Sequence, residues 1–336
     1  MYQFALVGCG RIGARHAEQI QQKGRLVAVC DTDSAKAEAF GNRYGARTYP
    51  SIDHLLASEK EIDVVVVCTP NGLHAEHCIK SLQAYRHVLC EKPLCLTSAG
   101  AWEMLNTAHF FRRKLHIVKQ NRYNEPVRFV KDLLERGALG RILSFQLNCF
   151  WQRPESYYNG DWHGDPNLDG GLLYTQFSHF IDLLYWFLGD ITWAQGRRSN
   201  HGLRANLKTE DSGVALLRTE GGVSGTLHYT INSGTHNREG SLTLFGEMGS
   251  VKIGGEYLNL LEWSSGIDTS GYEPGSGTAN DYGAYTGSMS NHHLVYDDLL
   301  RALDGSPNSL PSILEAVKVV EIIERIYRHS ELDTAS

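Results

Sequence analysis

Three groups of residues in this sequence have the types and spacing that chemistry on a bound nucleotide requires. The first is Gly8-Cys9-Gly10-Arg11-Ile12-Gly13, which follows the apolar run 4–7 and opens a stretch with Ile12, His16 and Ile20 at helical spacing. The second is Asp31, directly after the apolar run 26–30. The third is Glu91-Lys92-Pro93, directly after the apolar run 87–90. A Gly-x-Gly-x-x-Gly turn between a strand and a helix, with an acid after the next strand, is the arrangement that holds a dinucleotide. Gly8 allows the tight turn, Gly10 lets the backbone approach a pyrophosphate, and Gly13 lets the helix close on the strand. Arg11 and Ile12 begin that helix, whose free N–H groups and positive dipole end face the phosphates. An ordinary β-turn-α unit of a flavodoxin-like domain would need neither Gly10 nor Asp31.

Asp31 also selects the dinucleotide. A carboxylate there accepts hydrogen bonds from the ribose hydroxyls and repels a 2′-phosphate. No arginine follows in Thr32-Asp33-Ser34, so NAD is expected rather than NADP. Asp33 or Ser34 also suits the N-cap of a helix over 35–44. Lys92, pinned between Glu91 and Pro93 at a strand end, is placed to act on a substrate. A plain surface lysine is the alternative, and the buried strand that feeds it argues against that. The preceding strand end carries Cys68-Thr69-Pro70-Asn71-Gly72-Leu73-His74.

These groups need a scaffold, and the pattern supplies one. Helices are expected over 35–44, 52–57, 73–84 and 98–111, alternating with strands over 63–68, 87–90 and an edge strand over 115–118. Residues 1–121 therefore read as a doubly wound parallel sheet. The pattern then changes. A helix is expected over 125–135, a strand over 142–150 and one long apolar helix over 172–188. Strands joined by hairpins follow over 191–263, with turns at Thr219-Glu220-Gly221-Gly222 and Gly246-Glu247-Met248-Gly249, which makes a mostly antiparallel sheet. Residues 264–288 are rich in Gly and Ser with Tyr272, Tyr282 and Tyr285 interleaved; they read as a loop or a substrate lid. Helices over 291–303 and 313–328 complete an α/β chain whose second domain spans 122–336.

At 336 residues the chain allows about two domains. A net charge of −6 and the lack of a Lys/Arg cluster argue against nucleic acid. No apolar stretch reaches bilayer length, and the first apolar run, one strand long, does not read as a signal peptide. The seven cysteines all precede residue 151 and include no CxxC pair. A reducing cytoplasm is their simplest setting. The pairs His74/His77 and His292/His293 have no partner set that would hold a metal, and none is expected.

Taken together, the glycine turn, Thr69-Pro70-Asn71-x-x-His74 and Glu91-Lys92-Pro93 resemble the glucose–fructose oxidoreductase/inositol dehydrogenase (Gfo/Idh/MocA) family, and the resemblance covers nearly the whole chain. It implies a Rossmann domain followed by an α/β domain whose open sheet covers the active site and often mediates homo-oligomers. It implies that Lys92 is the catalytic lysine, that Thr69, Asn71, His74 and Glu91 border the cofactor, and that Trp162, in Asp161-Trp162-His163, reaches it from the second domain. The family's second motif falls on residues 170–182 and makes His179 the catalytic histidine. A satisfied core histidine in an apolar helix is the alternative. On one continuous helix Thr175 and His179 would share a face. Many members carry Asp where this chain has Thr175, and without it proton transfer rests more on Lys92.

A narrower resemblance is carried by residues 119–124, 150–158 and 238–242. These are similar to the UDP-N-acetylglucosaminuronate 3-dehydrogenases, which make a 3-keto sugar for bacterial surface polysaccharide. Arg153 and Arg238 would suit a diphosphate or uronate, because guanidinium forks pair with both; Tyr157 and Thr175 complete the substrate set. The expectation is an NAD-dependent sugar dehydrogenase acting at the 3-hydroxyl of that UDP-sugar. A dehydrogenase of a free polyol such as inositol is the alternative. A non-catalytic sensor of NAD or sugar is disfavoured by the presence of both Lys92 and His179.

Overall fold

The computed structural model describes residues 1–336 except 161, 276, 282, 284, 335 and 336, and only the backbone of Asp281. Asp161 and Tyr282, named above, therefore lie outside the described residues. The chain divides into two compact units. One comprises Met1–Lys119 with His292–Val320, the other Gln120–Asn291 with Glu321–Ser336.

In the first unit, strands β1 (Gln3–Val7), β2 (Arg25–Cys30), β3 (Arg47–Tyr49), β4 (Val64–Val67), β5 (His87–Cys90) and β6 (Leu115–Ile117) alternate with helices. These are α1 (Arg11–Lys23), α2 (Ser34–Tyr44), α3 (Ile52–Ser58), α4 (His74–Gln83) and α5 (Ser98–Phe110). All strand pairs are parallel and the order is β3-β2-β1-β4-β5-β6. The order reverses between β1 and β4, which is where a doubly wound sheet binds its ligand. Val64 to Val67 are fully buried, as strands covered on both faces must be. Asp33 caps α2 by accepting from the N–H groups of Ala35 and Lys36. The edge strand β3 was not expected, since three half-exposed residues give no period to read. Helix α9 (His292–Leu303) returns the chain to this unit and buries Val295, Tyr296 and Leu299 there.

The second unit opens with α6 (Glu125–Glu135) and β7 (Ile142–Phe150) and continues through α7 (Leu172–Thr175) and α8 (Ser178–Leu188). Strands β8 (Ile191–Asn200), β9 (Ser212–Thr219), β10 (Ser224–Thr230), β11 (Glu239–Gly246), β12 (Ser250–Gly254) and β13 (Leu260–Ser265) follow. After a small hairpin, β14 (Ala279–Asp281) and β15 (Thr286–Met289), and helix α10 (Ile313–Arg328), the chain ends in β16 (Ser330–Thr334). The eight-stranded sheet has the order β13-β12-β11-β7-β10-β9-β8-β16 and is antiparallel except at β10/β7 and β16/β8. Helix α8 packs so closely on it that a Cβ on Gly240 would stand 2.8 Å from the Phe180 ring.

Two expectations are corrected here. The single helix over 172–188 is broken at Gln176 and Phe177 into α7 and α8. The Leu172 carbonyl accepts from both Gln176 and Phe177, and the Phe177 ring is buried against Trp151 and Tyr229. No Gly or Pro stands at the break to mark it in the sequence. The segment 264–288 is not simply a loop or lid. It holds the end of β13 and the β14/β15 hairpin, with Tyr272 against Phe129 and Tyr285 against Tyr157.

Candidate active site

The strand order of the first unit sets β1 between β2 and β4, and β5 beyond β4. Their carboxyl ends carry, side by side, Asp31, the glycine turn, Thr69 and Glu91-Lys92. Gly8 has φ +103° and its Cβ would strike the Cys68 carbonyl at 2.5 Å, while a Cβ on Gly13 would strike the Gly8 carbonyl at 2.3 Å. Gly10 differs. Among the described residues other than its chain neighbours, nothing lies within 4 Å of where its Cβ would stand, so packing around it does not require glycine. Asp31 accepts the Cys9 N–H on one oxygen (2.8 Å) and the Asp33 N–H on the other (2.9 Å). That fixes the carboxylate beside the turn and leaves lone pairs for ribose hydroxyls. An open cradle at Gly10, the first turn of α1 directly after it, and an anchored acid fit a dinucleotide.

The Lys92 segment is held from two sides. Glu91 is buried, and its Oε1 faces Nε2 of His16 at 2.8 Å and Nε2 of His292 at 3.4 Å. Its Oε2 accepts the Lys92 N–H at 3.0 Å, and His16 Nδ1 meets the Tyr296 hydroxyl at 2.9 Å. Burial alone would raise the Glu91 pKa; the two imidazoles hold it well below the ordinary carboxylate value. His16, Glu91 and His292 bring their ligand atoms within 4.8 Å of one another, but those atoms already satisfy each other by hydrogen bonds. On the other side, His74 Nδ1 meets the Pro93 carbonyl at 2.7 Å and Nε2 the Thr69 carbonyl at 2.8 Å. Both acceptors are carbonyls, so only a doubly protonated ring satisfies both. Burial acts against that charge, yet the Cys90 sulfur and the two carbonyls raise the His74 pKa to about 9. His74 thus braces the strand ends that carry Thr69 and Lys92. Asn71 is buried and Lys92 half-buried.

In the second unit His179 is buried near the start of α8, with its Nε2 3.3 Å from the Gln120 amide nitrogen. Gln120 donates in turn to Ser288 Oγ at 2.9 Å. One turn on, Asp182 takes Arg122 in a buried two-point pair at 2.8 and 2.9 Å, which fixes the helix. Arg153 is 1% exposed, although its charge cannot be shed. Its Nε donates to Gln176 Oε1 at 2.9 Å and its Nη1 to the Gln152 carbonyl at 2.6 Å and Asn237 Oδ1 at 3.3 Å. The guanidinium lies over the rings of Trp151 and Tyr285. Among the described residues no carboxylate pairs with it. The Tyr157 hydroxyl accepts from Gln176 at 2.9 Å. Arg238 is exposed, and its backbone N–H bonds the Phe150 carbonyl beside the Arg153 strand. Trp162 stacks on His163, whose ring sits 4.1 Å from that of Tyr157. The Thr175 hydroxyl donates to a carboxylate that sequence reading did not single out, that of Asp169. Gln176, Gln120 and the His16/His292 pair were also unforeseen. His16 lies on the buried face of α1, the sequence offers His292 only within a His292/His293 pair, and Gln120 and Gln176 stand unassigned within the segments that carry the resemblance.

Fold and site define a dinucleotide-dependent oxidoreductase. Residues 2–117 match the oxidoreductase family with an NAD-binding Rossmann fold, and 127–252 match the GFO/IDH/MocA C-terminal domain. The chain is similar to the WlbA dehydrogenase of Bordetella pertussis, solved with NADH and UDP-GlcNAcA. Identity is 32% over 98% of this chain and 96% of that one, with a TM-score of 0.85. The WlbA dehydrogenase of Chromobacterium violaceum, solved with the same two ligands, is also 32% identical over 98% of this chain and 93% of that one, at a TM-score of 0.88. Among curated proteins, the glucose-6-phosphate 3-dehydrogenase of Bacillus subtilis is 26% identical over 65% of this chain and spans 62% of that protein's length. The inositol 2-dehydrogenase of Rubrobacter xylanophilus is 26% identical over 74% of this chain and 70% of that protein. The chain belongs to the Gfo/Idh/MocA family of oxidoreductases and uses NAD.

Proposed function

We propose that the protein oxidises the 3-hydroxyl of a UDP-linked N-acetylated uronate, UDP-N-acetylglucosaminuronate, in the synthesis of surface polysaccharide. The observation that carries this reading is Arg153. A buried guanidinium held, among the described residues, by amide and carbonyl oxygens and aromatic faces is costly unless a counter-charge arrives with a ligand. A uronate carboxylate or a diphosphate supplies that charge; a neutral polyol does not. Tyr157 and Gln176 line the same cluster, and Arg238, exposed just before β11, suits the second anionic group. The WlbA structures, with UDP-GlcNAcA bound, support the same choice.

The sugar hydroxyl gives up its proton to Lys92 Nζ or to His179 Nε2, the ring atom that the Gln120 amide approaches. NAD, held by the glycine turn and Asp31, would supply the hydride acceptor for the same carbon. Glu91 and His74 hold the backbone on either side of Lys92, Asp31 the adenosine ribose, and Trp162 the cofactor's other end. Among the described residues no helix is long and apolar enough to cross a membrane. Exposed Val214, Leu216, Phe245 and Trp263 on the eight-stranded sheet suit contact with further copies of the chain.

The test is ligand response. UDP should raise the melting temperature by mass action, and myo-inositol at equal concentration should not. UDP-N-acetylglucosaminuronate should then reduce NAD, and continue past one turnover when 2-oxoglutarate is supplied. Lys92→Met should abolish turnover and retain NADH binding. No shift with UDP, together with brisk oxidation of myo-inositol, selects the polyol reading instead.

A further inference from the structure

The residue that sequence reading passed over, Asp169, sits at a junction in the second unit. It is 3% exposed, and its Oδ2 accepts the Gly164 N–H at 2.6 Å. Its Oδ1 and its carbonyl both accept from the Thr175 hydroxyl. One carboxylate therefore ties the 162–164 loop, with Trp162 and His163, to the last residue of α7. Gln176 is helical (φ −92°, ψ −44°) but Phe177 is not (φ −114°, ψ 7°), and His179 follows Thr175 by four residues across this break.

A hydroxyl has one proton. In Thr175 that proton is committed to Asp169, so towards any other group Oγ1 offers only lone pairs. Resting on the reaction proposed above, we propose that Asp169 is a positioning residue. Through Thr175 it imposes acceptor polarity and negative charge on the His179 side of the site, as a carboxylate at 175 would. The alternative polarity is one substitution away. In Asp169→Asn the side-chain amide can donate to Thr175, which turns the hydroxyl proton outward and removes the charge. Burial raises the Asp169 pKa above the ordinary carboxylate value, and the Thr175 hydroxyl, the Gly164 N–H and His163 only partly oppose it.

Two readouts test this on the full-length protein. In the substrate-free protein, NMR titration of the His179 ring should give a lower pKa in Asp169→Asn than in wild type, because a nearby negative charge that favours imidazolium has gone. Thr175→Ser should leave it unchanged. In turnover of UDP-N-acetylglucosaminuronate with NAD, Asp169→Asn should lower kcat about 10- to 100-fold, the usual scale for losing an orienting partner, with NADH affinity within about twofold of wild type. The double variant Asp169→Asn/Thr175→Asp, which returns a carboxylate at 175, should recover activity over Asp169→Asn alone. An unchanged His179 titration overturns the proposal, as does wild-type kcat in Asp169→Asn or a failure of the double variant to exceed the single. A wild type inactive on this sugar would count against the substrate assignment only, since the ring titration needs no substrate.

Discussion

Replacing His74 with glutamine removes an imidazolium whose two N–H groups bridge the Pro93 and Thr69 carbonyls. Its folded-state pKa of about 9 lies above the ordinary 6.5, so the folded protein holds this proton more tightly than the unfolded chain. At about 1.4 kcal/mol for each tenfold in proton affinity, the difference corresponds to at most roughly 3 kcal/mol of stability. It is an upper figure because the Cys90 thiol, one of the groups raising the value, is itself kept protonated by burial. That leaves the two carbonyls to hold the charge at neutral pH. The sign follows from linkage. The stabilisation is fully present below pH 6.5 and is lost as the pH rises towards 9, with roughly 2 kcal/mol gone by pH 8.5. The assay is urea unfolding of wild type and His74→Gln at pH 6.0, 7.25 and 8.5. The range stops there because Cys9 and Cys30, pushed up to about 12 by burial, add a slope of the same sign from about pH 9 upward. The gap between the two proteins should close as pH rises. Parallel stability curves over this range would refute a protonated His74.

Two further outcomes test the cofactor end. Gly10→Ala should fold normally and lose NAD affinity, because its methyl enters space that no protein atom occupies, whereas Gly13→Ala should lose stability outright, because the methyl meets a backbone carbonyl at 2.3 Å; thermal melts with and without NADH separate the two. Asp31→Ala should weaken NAD and relatively favour NADP, which titration of both cofactors measures, and unchanged selectivity would remove Asp31 from the ribose site.

The cofactor end was legible in the sequence because its logic is local. A glycine turn, the helix after it and an acid past the next strand lie within about thirty residues, and each is read from residue type and spacing alone. The hairpin turns at 219–222 and 246–249 were legible for the same reason. What the sequence left open was decided by contacts between segments far apart in the chain. The break between α7 and α8 depends on Phe177 packing against Trp151 and Tyr229, and an apolar helix shows no period that would announce it. The partners of Glu91 come from residues 16 and 292, which only the return of α9 to the first sheet brings together. Arg153 was visible as an arginine, but that it is buried beside amides and aromatic rings follows from residues 176, 237 and 285 converging on it. Thr175 read as the loss of an acid. The fold sets Asp169 against its hydroxyl, because the turn at Gly170 and Gly171, both at positive φ, folds the chain back so that a carboxylate six residues earlier reaches the last residue of α7.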